Sequence, residues 1–201
     1  MSDFPIALHG ERVTAVVVGG GSVGTRKARA LVEAGAQVRV VAPLVSSELE
    51  EAEKLRQITL VREAYRREHL DRATLVIAAT DSREINAQIA IEAKARGMLV
   101  NISDYPDEGN FHTMALHRSG DVTIAVSSGG VPGAAARIRD AIAERFDSRY
   151  GRAVSALRGL RSRLIAGGED RWRAAAPKLV GDDFCNSVED GSFTEKLDSW
   201  R

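Results

Sequence analysis

The chain has 201 residues, enough for one ordinary domain plus an appendage. Its 28 basic and 28 acidic side chains cancel, so nothing points to a bulk polyanion such as nucleic acid. The single cysteine, Cys185, excludes a disulfide within the chain and a cysteine metal cluster. No apolar run approaches the length of a membrane span, and the first residues lack a signal peptide's basic region and long apolar core. A soluble cytoplasmic protein is expected, with no membrane or nucleic-acid partner.

The apolar run Val13–Val18 predicts a first strand, and a helix follows from Ser22 to Ala34, stopping at Gly35. Gln37–Val41 is the next strand. After Pro43, residues 46–55 form a helix that opens with Ser47 and carries Glu50 three residues on, a capping-box pattern. Ile58–Val61 predicts a third strand, and Leu75–Ala79, apolar on both faces, suits a central parallel one. Glu84–Arg96 places Ile85, Ile89 and Ala93 at helical spacing before Gly97, and Met98–Ile102 is the fifth strand. Strands alternating with helices in this way predict an α/β fold, a Rossmann-type doubly wound parallel sheet.

Beyond Asp104 the pattern changes. Tyr105–Asn110 is rich in turn formers, and Leu116–Arg118 and Asp121–Ser127 pair as short strands around Ser119-Gly120. Ser127–Gly133 leads into a helix, Ala134–Arg145. A second helix, Arg149–Ile165, carries Val154, Leu157, Leu160 and Leu164 on one stripe. After Gly167-Gly168, charges, turn formers and isolated aromatics predict a loosely attached helix or a partly disordered tail.

The most informative stretch is the junction after the first strand, Gly19-x-Gly21-x-x-Gly24. A tight glycine turn between strand and helix aims backbone N–H groups and the helix dipole at an anion. Gly19 makes the turn, Gly21 lets a pyrophosphate approach, and Gly24 lets helix and strand pack closely. With a strand before it, a helix after it and a second strand at βαβ distance, the motif has the context that dinucleotide binding requires. A glycine turn without a ligand remains the alternative. The second strand ends in Val40-Val-Ala-Pro-Leu44, with no acidic residue at its tip, and Arg39 lies inside the strand, so the motif does not separate NAD from NADP. Ser46 or Ser47 can bond a ribose or cap the next helix.

Six blocks stand in one order and at set intervals: Gly19–Lys27, Val40–Pro43, Ala78–Asp81 with Asn86, Val100–Asp104, Phe111 and Ile124–Gly130. Over about residues 4–165 the chain thereby resembles the precorrin-2 dehydrogenase / sirohydrochlorin ferrochelatase family, the N-terminal module of siroheme synthase. The resemblance implies an NAD-binding Rossmann domain (1–113), a small α+β dimerisation region (114–148) that makes a homodimer, and a helical C-terminal region (149–201). It implies NAD as cofactor and precorrin-2 as the substrate, oxidised to sirohydrochlorin with release of a proton. In some members Fe2+ is then inserted to give siroheme. By position, Ser22, Val23, Pro43 and Leu44 line the NAD site beside Gly19, Gly21 and Gly24, and Thr80 lies at the same sheet edge. Asp104 matches the family's catalytic aspartate.

Each of these residues also has a plainer reading. Asp104 can serve as general base at the carboxyl edge of the sheet, or simply start the turn before Tyr105-Pro106. Ser127 and Ser128, ahead of Gly129-Gly130, can offer donors to a substrate carboxylate or cap the following helix. His117, Arg118 and Arg137 fall where a polycarboxylate would be met, although each alone also suits a solvated surface. Arg26 and Lys27 can support an anion or decorate a helix face. His112 and His117, five apart on a non-helical stretch, make poor ligands, so no metal site is expected. A reading of another class, a domain that senses NAD and does no chemistry, is opposed by the block from Asp104 to Gly130, which a sensor would not need.

Overall fold

A computed structural model describes residues 3–200. The described chain divides into two compact units, one ending at Thr113 and the other starting at Met114.

In the first unit, β1 (Thr14–Val18), β2 (Gln37–Val41), β3 (Ile58–Val61), β4 (Leu75–Ala78) and β5 (Leu99–Ile102) form one sheet in the order β3-β2-β1-β4-β5. Every pairing is parallel. Alternation along the strands decides the layers. Val16, Val18, Val76, Ala78, Val100 and Ile102 face one way, onto Ile89, Ala90 and Ala93 of α3 (Arg83–Ala95). Ala15, Val17, Val38, Val40 and Ile77 face the other way, onto Ala28 of α1 (Ser22–Glu33) and Leu49 of α2 (Ser47–Lys54). With helices on both faces, a central strand is covered on both sides, which is why Leu75–Ala78 is apolar and buried at every position.

The chain builds outward from β1 to β2 and β3, then crosses to β4 on the far side of β1. The strand order therefore reverses between β1 and β4, and a doubly wound sheet opens its ligand crevice at that place. One local expectation is corrected: Ser46, not Ser47, caps α2, its hydroxyl accepting from the Leu49 amide at 3.3 Å. The sequence contains two adjacent serines, and backbone geometry chooses the one in extended conformation.

The second unit begins with an antiparallel hairpin, β6 (Ala115–Ser119) and β7 (Val122–Val126), and α4 (Pro132–Arg145) packs on it. The expected boundary at 148/149 does not separate compact parts, because α5 (Ser148–Ala166) also lies on the hairpin. Gly151 makes this possible: a Cβ there would stand 2.6 Å from the Ser119 carbonyl oxygen. Ser119 Oγ donates to the Asp147 carbonyl at 2.7 Å, and the Asp147 carboxylate caps α5 from below.

The tail is likewise a correction. In place of a loose segment, α6 (Glu169–Leu179), α7 (Phe184–Asp190) and α8 (Phe193–Asp198) pack against α5. The aromatics that look isolated in sequence converge in space. Phe184 meets Phe193 edge-on at 5.2 Å and Tyr150 at 6.5 Å, above Leu160, Leu164, Leu179 and Leu197. Helices as short as α7 and α8 have no stability of their own in water, so this burial is what forms them. Tyr150 Oη adds a 2.7 Å bond to Glu189, whose carboxyl is held below its usual range by that hydroxyl first and by Arg145 second. Among the described residues, no helix is long and apolar enough to cross a membrane.

Candidate functional site

Each of four strands releases a candidate residue just past its carboxyl end: Gly19 after β1, Pro43 after β2, Thr80 after β4 and Asp104 after β5. Parallel strands put all four ends on one edge of the first unit, the edge where such sheets bind ligands.

The glycine turn is built by close approach. Gly19 takes φ +121°, and a Cβ there would lie 2.1 Å from the Ala79 carbonyl oxygen. A Cβ on Gly24 would likewise lie 2.1 Å from the Gly19 carbonyl oxygen, so only glycine lets α1 seat this closely on β1. Gly21 is different. It is exposed, and an added Cβ would meet nothing within 4 Å, so the space above it is open to an incoming group. Gly21 is also the N-cap of α1, and no side chain caps that helix, whereas α2 and α3 are capped by the hydroxyls of Ser46 and Ser82. The first turn of α1 thus keeps its amide donors for an outside acceptor, and a pyrophosphate fits that need.

Gly20 was not among the residues singled out from sequence. A Cβ there would strike the Leu44 carbonyl oxygen at 2.1 Å. The glycine turn and the loop after β2 are in fact closed onto each other: the Ser46 amide donates to the Gly20 carbonyl at 3.0 Å, and the hydroxyls of Thr25 and Ser46 bond at 2.8 Å. This places Pro43 and Leu44 beside the turn. Leu44 is 85% exposed, an apolar side chain held in water beside the glycine turn. Arg39 stays inside β2, donating to the His69 carbonyl at 3.1 Å, and offers no clamp for a 2′-phosphate. Lys27, its charge disfavoured by burial and by Arg26, donates to Thr113 Oγ1 at 2.6 Å.

On the other side of the strand reversal, Asn86 joins Thr80 to Asp104. Its Oδ1 accepts from the Thr80 hydroxyl at 2.7 Å and the Thr80 amide at 3.2 Å. Its Nδ2 donates to the Thr80 carbonyl and to Asp104 Oδ1, both at 3.1 Å. Asn86 is 1% exposed while Asp104 is exposed, so a buried amide holds a solvent-facing carboxylate in place. Among the described residues no hydrogen bond is made to the second oxygen of that carboxylate, which is the atom that can accept a proton from a ligand. A signal for Asn86 was present in the sequence: it shares the buried stripe of α3 with Ile89, Ala90 and Ala93, where a polar residue needs partners. Asn86→Ala strands the Thr80 backbone groups, and we expect a loss of about 2 kcal/mol in denaturant unfolding of the chain.

The expected substrate residues lie in the second unit, and two of them do not share a face there. His117 and Arg118 are neighbours on β6 and point to opposite faces. His117 Nε2 donates to the Phe146 carbonyl at 2.6 Å, joining the hairpin to the end of α4, while Arg118 and Arg137 are exposed. Ser128 Oγ donates to the Val131 carbonyl at 2.5 Å, and Val131, not either serine, is the N-cap of α4. Gly129 and Gly130 both take positive φ in the turn between them. Among the described residues, no group of three or more His, Cys, Asp or Glu side chains is placed to hold a metal ion.

A five-stranded parallel sheet with an uncapped glycine turn at its strand reversal defines a dinucleotide-binding domain of the Rossmann class. Comparison with known proteins agrees: residues 6–115 match the family described as "Putative NAD(P)-binding", and the chain belongs to that family. Over 196 residues the chain is 35% identical to a siroheme synthase of Photobacterium profundum, covering 97% of this chain and 40% of that protein. It is 40% identical over 160 residues to a siroheme synthase of Pseudomonas fluorescens, covering 79% of this chain and 33% of that one. The chain thus spans well under half the length of these curated relatives. A solved structure titled "SirC, precorrin-2 dehydrogenase" matches with a TM-score of 0.78 and 25% identity, covering 98% of this chain and all of that one. The likeness drawn from the sequence blocks and the fold class expected from the strand pattern both hold.

Proposed function

We propose that the chain is an NAD-dependent precorrin-2 dehydrogenase, oxidising precorrin-2 to sirohydrochlorin. The observation that carries this reading is the pairing, on one sheet edge, of an uncapped glycine turn with a carboxylate oriented by a buried amide. Bound NAD⁺ supplies the acceptor for the hydride that leaves the macrocycle. Ser22, Val23 and Gly24 offer the first-turn amides of α1 to the pyrophosphate, and Gly21 leaves room for it. Leu44 and Pro43 form the rim beside that seat. Asp104 takes up the proton released as the hydride departs, so that two electrons and two protons leave the substrate in balance. Ser127, Ser128, Arg118 and Arg137 remain candidates for the substrate's carboxylates, as does His117 through a rearranged bond. The likeness also supports a homodimer assembled through residues 114–148, and the lone thiol of Cys185 suits a reducing cytoplasm.

The test is anaerobic mixing of the chain with precorrin-2 and NAD⁺. NADH and the sirohydrochlorin spectrum are expected to rise together. Bound NAD⁺ without turnover would instead favour a sensing domain. Insertion of Fe2+ is a second reading, favoured by the siroheme synthase name of the relatives. Anaerobic ferrous iron with sirohydrochlorin tests it separately.

A further inference from the structure

The carboxylate of Asp104 stands on the exposed segment that follows β5, and such a segment needs restraint to present one geometry. Its far end is tied down: the Asn110 amide donates to the Val100 carbonyl at 2.9 Å, and the Asn110 side chain bonds both the Val100 amide and the Met98 carbonyl. Its near end is held by the Ser103 amide, which donates to the Ala78 carbonyl at 3.0 Å, and by the bond from Asn86 to Asp104. Between them lies one tight turn, Pro106–Glu108, and one side chain from outside reaches over it. Arg83, the first residue of α3, pairs with Glu108 through Nη2, while its guanidinium carbon lies 4.2 Å from the centre of the Tyr105 ring. Arg83 and Asn86 are three apart and therefore neighbours on one face of α3. One helix turn thus grips the segment twice, at the carboxylate and just beyond it.

We propose that Arg83 is a positioning residue for Asp104, a latch that holds the 104–109 segment against α3 and so fixes where the carboxylate stands. The proposal rests on the reading of Asp104 as the proton acceptor. A planar guanidinium suits the task because it pairs and stacks at once, which an ammonium does not. Arg83 Nη1 is buried without a hydrogen-bond partner among the described residues, so the guanidinium's direct contacts are the Glu108 carboxylate and the Tyr105 ring, with the Asp104 charge also attracting it. Arg83 and Glu108 are each more than a third exposed, at 36% and 37%, and a pair this exposed adds little to global stability. Its effect belongs to local order.

The test compares Arg83→Ala, Arg83→Lys and Glu108→Gln with the native chain by amide hydrogen exchange and by turnover. In Arg83→Ala the amides of Glu108 and Gly109 should exchange about tenfold or more faster, while the Asn110 amide, anchored independently on β5, keeps its protection. The same variant should lower kcat for precorrin-2 by roughly 10- to 100-fold, with KM for NAD⁺ within about twofold and the melting temperature nearly unchanged. Arg83→Lys recovers part of both losses, since it keeps the pairing and loses the stack; Glu108→Gln falls between. Unaltered exchange at Glu108 and Gly109 would overturn the latch, and faster exchange with native kcat would overturn its role in positioning. If the native chain itself fails to oxidise precorrin-2, the functional reading falls, and exchange alone then decides whether Arg83 restrains the segment.

Discussion

Asp104→Asn should slow NADH formation from precorrin-2 by about 10²- to 10⁴-fold, the range spanned by general acid–base catalysis. The substitution keeps the shape of the side chain, and its amide oxygen can still accept from Asn86 Nδ2, so the segment after β5 stays in place. What disappears is the ability to hold a proton. Affinity for NAD⁺ should stay within about twofold of native, because the glycine turn follows β1 and β4 lies between that strand and β5. The measurement is stopped-flow turnover under anaerobic conditions, paired with calorimetric titration of NAD⁺. Native turnover in Asp104→Asn would remove the carboxylate from the chemistry and leave Asp104 as a turn residue.

The second large effect separates two adjacent glycines. Gly20→Ala puts a methyl 2.1 Å from the Leu44 carbonyl oxygen, a backbone atom that cannot swing aside. The turn and the loop after β2 must part, breaking the bonds that Ser46 makes to Gly20 and Thr25. We expect a cost of about 3 kcal/mol in stability and NAD⁺ binding weaker by about 100-fold. Gly21→Ala meets no atom within 4 Å. It should fold with a native melting temperature and still bind NAD⁺ more weakly, because its methyl occupies the space of the ligand rather than of the protein. Equal stability losses in the two variants would show that the open space at Gly21 has another purpose.

The difference between those glycines explains much of what could be read in advance. Gly19, Gly21 and Gly24 announce themselves by spacing, because each answers a demand of the strand-turn-helix junction. Gly20 answers a demand set by Leu44, more than twenty residues away, and no local pattern carries that. Alternation and helical spacing were likewise enough for the parallel sheet, whose strands are apolar because helices cover both faces. The tail resisted the same reading. Its helices are short and its aromatics widely spaced, and only the three-dimensional cluster around Phe184 and Phe193 gives them a common face. Asn86 lies between these cases. Its place on the buried stripe of α3 was legible, but its bond to Asp104 depends on β4 and β5 being neighbours. His117 and Arg118 both fall in the region expected to meet a polycarboxylate, yet as neighbours on β6 they point to opposite faces.

The stoichiometry of a single anaerobic turnover probes the core of this account most directly. One equivalent of precorrin-2 with NAD⁺ in excess should give one equivalent of NADH and one of sirohydrochlorin, with matching time courses. Sirohydrochlorin formed without NADH, or neither product while NAD⁺ stays bound, would contradict it.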